Sequence, residues 1–207
     1  MKPKTAELWA KQDQHQGDRW RLFSAVADAV DADTVLYPGC YVDIAPSFVF
    51  RSVTYVDIDR RTPVFFGDTA GVNQIISDHD GPAEPDVAFI HADYTGVLDL
   101  PEEHFGLLVS LYAGFVSEHC TEHLRVGGSL LVNPSHGDAA MASIDPRYEL
   151  SGAVIADSGR YRVDTTDLEG YLVPKKPQAV TVAALHETGR AIGYTRSPFA
   201  YLFTRIG

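Results

Sequence analysis

The first two-thirds of the chain sets short apolar runs between stretches of helical spacing, and its last third turns to alternation. TVLY (Thr34 to Tyr37), VTYV (Val53 to Val56), DVAFI (Asp86 to Ile90) and LLVSLYA (within His104 to Ala113) have strand length and are almost unbroken by polar residues. Runs of that kind suit strands buried on both faces of a parallel sheet. Between Thr5 and Ala32 the apolar positions Leu8, Trp9, Trp20, Leu22, Phe23, Val26 and Val30 predict two amphipathic helices broken near Gly17. Pro63 to Ser77 and Phe115 to Leu124 also read as helices, Ser77 to Pro85 as a loop, and RVGGSLLVNP as a helix stop followed by a fifth strand. Alternating strands and helices predict an α/β fold with a doubly wound, mostly parallel sheet.

Beyond Pro134 the pattern changes. SHGDAAMASID reads as a helix or ordered loop, and Tyr148 to Val163 as a hairpin turning at Asp157-Ser158-Gly159. Leu168 to Val173 is expected to be a further strand, PKKPQ a surface link, and Val180 to Thr188 a short helix stopped by Gly189. FAYLFTRI is then expected to be a strand that fills the last place in the sheet. At 207 residues and 45% hydrophobic composition one sizeable core is expected, hence a single domain. Its parts are a helical cap over 1–32, a ligand-binding core over 33–135, and 136–207 completing the sheet.

The chemistry concentrates between Thr34 and Arg61. The first strand stops at Pro38-Gly39, and Gly39, lacking a Cβ, lets backbone turn sharply and lie close to a ligand. Ile44 to Phe50 is expected to form a short helix with Pro46 in its first turn. The second strand delivers Asp57 at its carboxyl end, where ligands of open parallel sheets bind and where a carboxylate suits the paired hydroxyls of a ribose. These parts predict a nucleoside cradle.

The order of turn glycine, acidic strand end, HADY (His91 to Tyr94) after a third strand and LVSLYAGF on a fourth resembles the class I S-adenosylmethionine-dependent methyltransferases, over about Thr34 to Pro134. The resemblance implies a seven-stranded Rossmann-like sheet with N-terminal helices and a C-terminal antiparallel strand. It also implies S-adenosylmethionine as cofactor. Gly39, Cys40 and Tyr41 would then lie under the amino-acid and ribose portions, and Asp57 with its neighbour Ile58 would hold the ribose. Asp93 would accept from the adenine amino group and Tyr94 would stack on the base. Ser110 and Tyr112 would line the edge over which the methyl group is aimed. One departure stands out: the family's first loop is acidic-x-Gly-x-Gly, whereas Tyr37 occupies the acidic position and Tyr41 that of the second glycine. A domain that keeps the fold without the chemistry, and an enzyme putting the same cofactor to another reaction, are therefore carried as alternatives. A nicotinamide oxidoreductase is disfavoured because GCYVDI offers one glycine where that fingerprint needs three.

Other residues carry two readings each. Asp93 also suits a loop carboxylate capping its own turn. His119 and His123, four apart, are a possible metal pair but fit a solvated helix face better, since no third ligand stands out. His136 and Asp138 suit substrate contact or proton transfer, and suit a helix cap better. Arg60 and Arg61 suit a carboxylate or phosphate as well as a solvated helix start. The net charge of −11, with no basic run longer than two, argues against a nucleic-acid partner and for a small-molecule substrate. Two cysteines, Cys40 and Cys120, are too few for a disulfide framework or zinc ribbon. No apolar signal core and no run of about 20 apolar residues is present, so a cytoplasmic protein without membrane association is expected.

Overall fold

The computed structural model describes residues 1–177 and 179–207. Gln178, the last residue of the PKKPQ link, lies outside the described residues. Two helices, α1 (Pro3–Gln12) and α2 (Asp18–Ala27), are separated at Gly17, whose φ of +77° places it in the left-handed region that glycine tolerates. Strands β1 (Thr34–Pro38) and β2 (Ser52–Val56) flank a one-turn 3₁₀ helix at Ala45–Phe48. Helices α3 (Thr62–Phe66) and α4 (Thr69–Asp78) lead to β3 (Asp86–Ile90) and β4 (Phe105–Ser110). Then come α5 (Val116–His119), β5 (Leu124–Val132), α6 (Asp138–Ile144), β6 (Tyr148–Asp157), β7 (Arg160–Asp164), α7 (Val182–Thr188) and β8 (Ala200–Arg205).

All eight strands form one sheet in the order β3-β2-β1-β4-β5-β8-β6-β7. β3, β2, β1, β4 and β5 run parallel, and β8 is antiparallel to both β5 and β6. Side-chain alternation divides the core. Val35, Tyr37, Val53 and Tyr55 face one layer with α1 to α4, while Leu36, Val56, Leu130 and Tyr201 face the other with α5 to α7. Burial on both faces explains why β1, β4 and β5 read as continuous apolar runs.

Four expectations are corrected. The sheet has eight strands instead of seven, because the hairpin at Ser158-Gly159 adds β7 as an edge strand. The stretch Pro63 to Ser77 is two helices, since the Asp68 side chain caps α4 by accepting from the Gly71 N–H at 3.3 Å. The same carboxylate accepts from Lys2 N–H at 2.6 Å and from the Thr5 hydroxyl at 2.7 Å, which docks the start of α1. Leu168–Leu172 is a 3₁₀ turn and not a strand. Its apolar residues Leu168, Tyr171 and Leu172 follow helical spacing, and Tyr171 is clamped by the Arg196 guanidinium 3.8 Å from its ring centre. The last strand fills an interior place between β5 and β6, as the burial of Ala200, Tyr201, Leu202 and Phe203 requires. No helix among the described residues is long and apolar enough to cross a membrane.

Candidate functional site

β1 lies between β2 and β4, so the loops leaving those neighbours diverge to opposite sides and open a crevice over the carboxyl end of β1. Gly39 forms the floor. Its φ is +67° and its N–H donates to the Val56 carbonyl at 2.8 Å. A Cβ at Gly39 would lie 2.8 Å from the Ala113 Cβ, so only glycine allows the β1 and β4 exit loops to approach this closely.

Asp57, 9% exposed, ties the two loops on the other side. Its Oδ2 accepts the Tyr41 N–H at 2.6 Å and its Oδ1 accepts the Asp59 N–H at 2.7 Å. Tyr41 has φ +50°, the conformation a second glycine would adopt without cost, so the loop keeps the glycine geometry while carrying a side chain. The ring leans toward the β2 exit loop, under the Arg61 guanidinium at 4.7 Å. Arg61 is itself held in a two-pronged contact by Asp59, at 2.8 and 2.7 Å. Ile58 stands 65% exposed beside this pair.

A cavity of about 220 Å³ opens over Gly39 and is lined by Arg19, Cys40, Tyr41, Asp43 and Tyr112 among others. A second, of about 320 Å³, adjoins it under the α1–α2 loop and shares Arg19 and Tyr112. Arg19 and Asp43 are the residues the sequence reading passed over. Asp43 is buried, takes the Tyr37 hydroxyl at 3.2 Å and lies 3.5 Å from Arg19 Nε. Burial pushes the Asp43 carboxyl above its ordinary pKa, and the Arg19 charge opposes that rise. Asp43 thus stands beside Tyr37, the position at which the resembled family carries an acid, joined to it through the Tyr37 hydroxyl. The only sequence signal was an arginine in the first turn of an amphipathic helix. A larger cavity, about 420 Å³, lies at the β3 edge near Phe66 and Phe89, separated from Gly39 by β2.

The other expected site residues are brought together unequally. Tyr112, with φ +58° and 54% exposed, stands at the mouth under the Arg19 guanidinium at 4.9 Å. Tyr94 is half-buried; its hydroxyl accepts the Gly114 N–H at 2.9 Å and fastens the β3 exit to the β4 exit. Asp93 is exposed and caps its own turn, its Oδ1 accepting from Thr95 N–H at 2.9 Å and from the Thr95 hydroxyl at 2.8 Å, and those bonds hold its pKa below the usual range. Cys40 lines the floor, and burial pushes its thiol well above the ordinary range, which favours the neutral form. Ser110 is buried and turned to the opposite face, where its hydroxyl donates to Asp138 at 2.5 Å. Asp138 also accepts the Ser117 hydroxyl at 2.5 Å, so it serves as an internal tie and is not exposed to substrate. His119 and His123 do not pair: His123 is buried against the Pro101 carbonyl at 3.2 Å, whereas His119 is partly exposed, and no group of three metal-ligating side chains occurs among the described residues.

No protein-family model and no curated protein sequence matches the chain. Solved structures do. A proposed O-methyltransferase of Klebsiella pneumoniae superposes with a TM-score of 0.51 at 8% identity, covering 79% of this chain and 88% of that one. The O-methyltransferase TomG of Streptomyces achromogenes, solved with S-adenosylmethionine, gives 0.49 at 9% identity over 100% and 91%. A tRNA methyltransferase of Aquifex aeolicus gives 0.47 at 14% identity over 89% and 68%. Methylases of transfer and ribosomal RNA are among the similar structures, which corrects the expectation of a small-molecule substrate to the exclusion of nucleic acid. The physical reason is that net charge sums the whole surface and does not describe the rim of one crevice. Strand order, the crevice over Gly39 and the superposition on the Klebsiella pneumoniae structure agree that the chain has the class I S-adenosylmethionine-dependent methyltransferase fold.

Proposed function

We propose that the protein binds S-adenosylmethionine over the carboxyl ends of β1 and β2 and transfers its methyl group to an acceptor approaching past Tyr112. The observation that carries this reading is the cavity over Gly39, at the point where strand order reverses, with charged Arg19 and Asp43 in its wall. The residues present fit the group. Each Asp57 oxygen accepts one backbone amide and keeps a lone pair for a ribose hydroxyl. Ile58 and Tyr94 offer apolar surface on the side where the base would lie. When bound, the cofactor supplies an electrophilic methyl on sulfonium.

The chain's own part is to hold and orient. Backbone of Gly39 to Tyr41 forms the floor, Tyr94 and Ala113 fix the β4 exit, and Tyr112 closes the mouth. Direct displacement asks mainly for proximity and alignment, so no buried base is required.

One observation favours a second reading, a fold-bearing domain without catalysis: Asp57 is nearly buried and already ties both loops together. Isothermal titration with S-adenosylmethionine and then S-adenosylhomocysteine separates the two. Micromolar binding of both is expected, and no binding of either by folded protein would leave the second reading standing.

A further inference from the structure

The two ends of the sheet are finished differently. β7 carries exposed Arg160 and Arg162 along its open edge and packs Tyr161 and Val163 against the first core layer, and charges so placed keep edge strands from pairing. β3, DVAFI, has one charge, Asp86, at its first residue. The Asp86 N–H donates to the Arg51 carbonyl at 2.8 Å and the Ile90 carbonyl accepts the Asp57 N–H at 3.2 Å, so Asp86, Ala88 and Ile90 turn their backbone groups to β2. Those of Val87 and Phe89 therefore point out from the sheet, in line for a further strand. Their side chains lie on the α3–α4 face, where Phe89 stacks on Phe66 at 4.4 Å and both strand residues line the cavity of about 420 Å³ with Val72 and His91. On the opposite face Asp86 and Ala88 are exposed, because the chain crosses from β3 to β4 without a helix. An approaching strand thus meets backbone partners, an apolar wall on one side and open space on the other.

We infer that this edge pairs with β3 of a second copy of the chain, antiparallel, about a two-fold axis at Ala88. In that register the outward groups meet: Val87 stands opposite the partner's Phe89 and Phe89 opposite the partner's Val87, each pair exchanging both N–H···O bonds, with Ala88 facing its own copy on the axis. An aromatic ring directly opposite a β-branched side chain is a favourable cross-strand pair, and both pairs lie along the cavity rims. Charge agrees with the register. Asp86 meets the partner's Ile90 and not another carboxylate, and the end with exposed Arg60 and His91 comes beside the end with Glu84 and Asp86. The net charge of −11 on each copy opposes association at long range and is screened by salt. One short strand makes a small, reversible interface, so micromolar dissociation is expected. β2 separates this edge from Gly39, so the pairing holds whatever the crevice binds.

The test is sedimentation equilibrium of the full chain from micromolar to millimolar concentration, over which the wild type is expected to pass from monomer to dimer. Ala88→Lys and Ala88→Glu each set like charges opposite one another on the axis and should weaken self-association ~10-fold or more. Ala88 is exposed, so both variants should keep a urea midpoint close to that of the wild type. An equimolar mixture of the two sets an ammonium against a carboxylate and should restore the dimer. Should neither charged variant fold, Ala88→Cys takes their place. Residues facing on such an axis have Cα atoms ~4.5 Å apart, within disulfide reach, and Cys40 and Cys120 are buried, so mild oxidation should give a covalent dimer. A wild type that stays monomeric throughout overturns the inference and leaves the edge to a strand of another protein. A dimer that survives both charged variants, a mixture that does not restore it, or an Ala88→Cys variant that does not cross-link overturns it as well.

Discussion

Asp57 was singled out as a ribose ligand, and its surroundings give it an earlier duty. Two backbone amides, from Tyr41 and Asp59, converge on its oxygens at 2.6 and 2.7 Å. Removing the charge therefore loosens the cradle whether or not a ligand binds. Asp57→Asn puts an NH₂ against one of those N–H donors, and a loss of about 1.5–3 kcal/mol is expected in urea unfolding of the ligand-free protein. An unchanged midpoint would mean that the loops are held by something else. Tyr41, by contrast, stands where the resembled family carries its second glycine. Its φ of +50° and its place under Arg61 show a side chain fitted onto glycine-like backbone and turned toward the β2 exit.

At the scale of elements, the crevice depends on how closely two exit loops approach. Gly39 and Ala113 set that distance, and the 2.8 Å approach a Cβ would make, together with the φ of +67°, disfavours any larger residue at 39. Gly39→Ala should cost at least the ~1–2 kcal/mol of forcing an L side chain into left-handed backbone, read as a lower urea midpoint. Adding Ala113→Gly should recover only the steric part, leaving the backbone part. Full recovery would show that φ at this turn relaxes freely. The turn glycine was legible from Pro38-Gly39, but its partner was not, because Ala113 lies 74 residues away and carries no turn signal of its own. Likewise Asp68 was unremarkable in sequence, yet it both splits α3 from α4 and anchors α1.

For the molecule as a whole, the second core contains a buried charge that no crevice residue shares. Asp138 accepts from Ser110 and Ser117 at the junction of β4, α5 and α6, and burial raises its pKa to about 6 despite those bonds. A folded-state pKa above the unfolded value means the charged form is disfavoured on folding. This group's contribution to stability is therefore greatest below the unfolded pKa, falls as pH rises from about 4 to about 6, and is flat above. The stability lost across that window is at most about 3 kcal/mol. Urea midpoints of wild type and Asp138→Asn, compared from pH 4 to 7.5, should diverge over that window, the wild type losing stability relative to the variant as pH rises. Parallel curves would show that Asp138 titrates as an ordinary carboxyl.

The sequence by itself determined the class of the fold. Parallel strands buried on both faces must be apolar along their length, helices that cover them must be apolar on one side, and glycine takes left-handed backbone at the least cost, so β1, β4, β5, Gly17, Gly39 and the Ser158-Gly159 hairpin could be read from residue order. Only the tertiary structure decided where FAYLFTRI inserts, which lone polar residues meet, and which site candidates face the crevice. Ser110 turns away to Asp138, Asp93 closes its own turn, and Arg19 meets Asp43 across 24 residues of chain. Those are pairings between distant residues, and a local pattern carries no record of what its other face will touch.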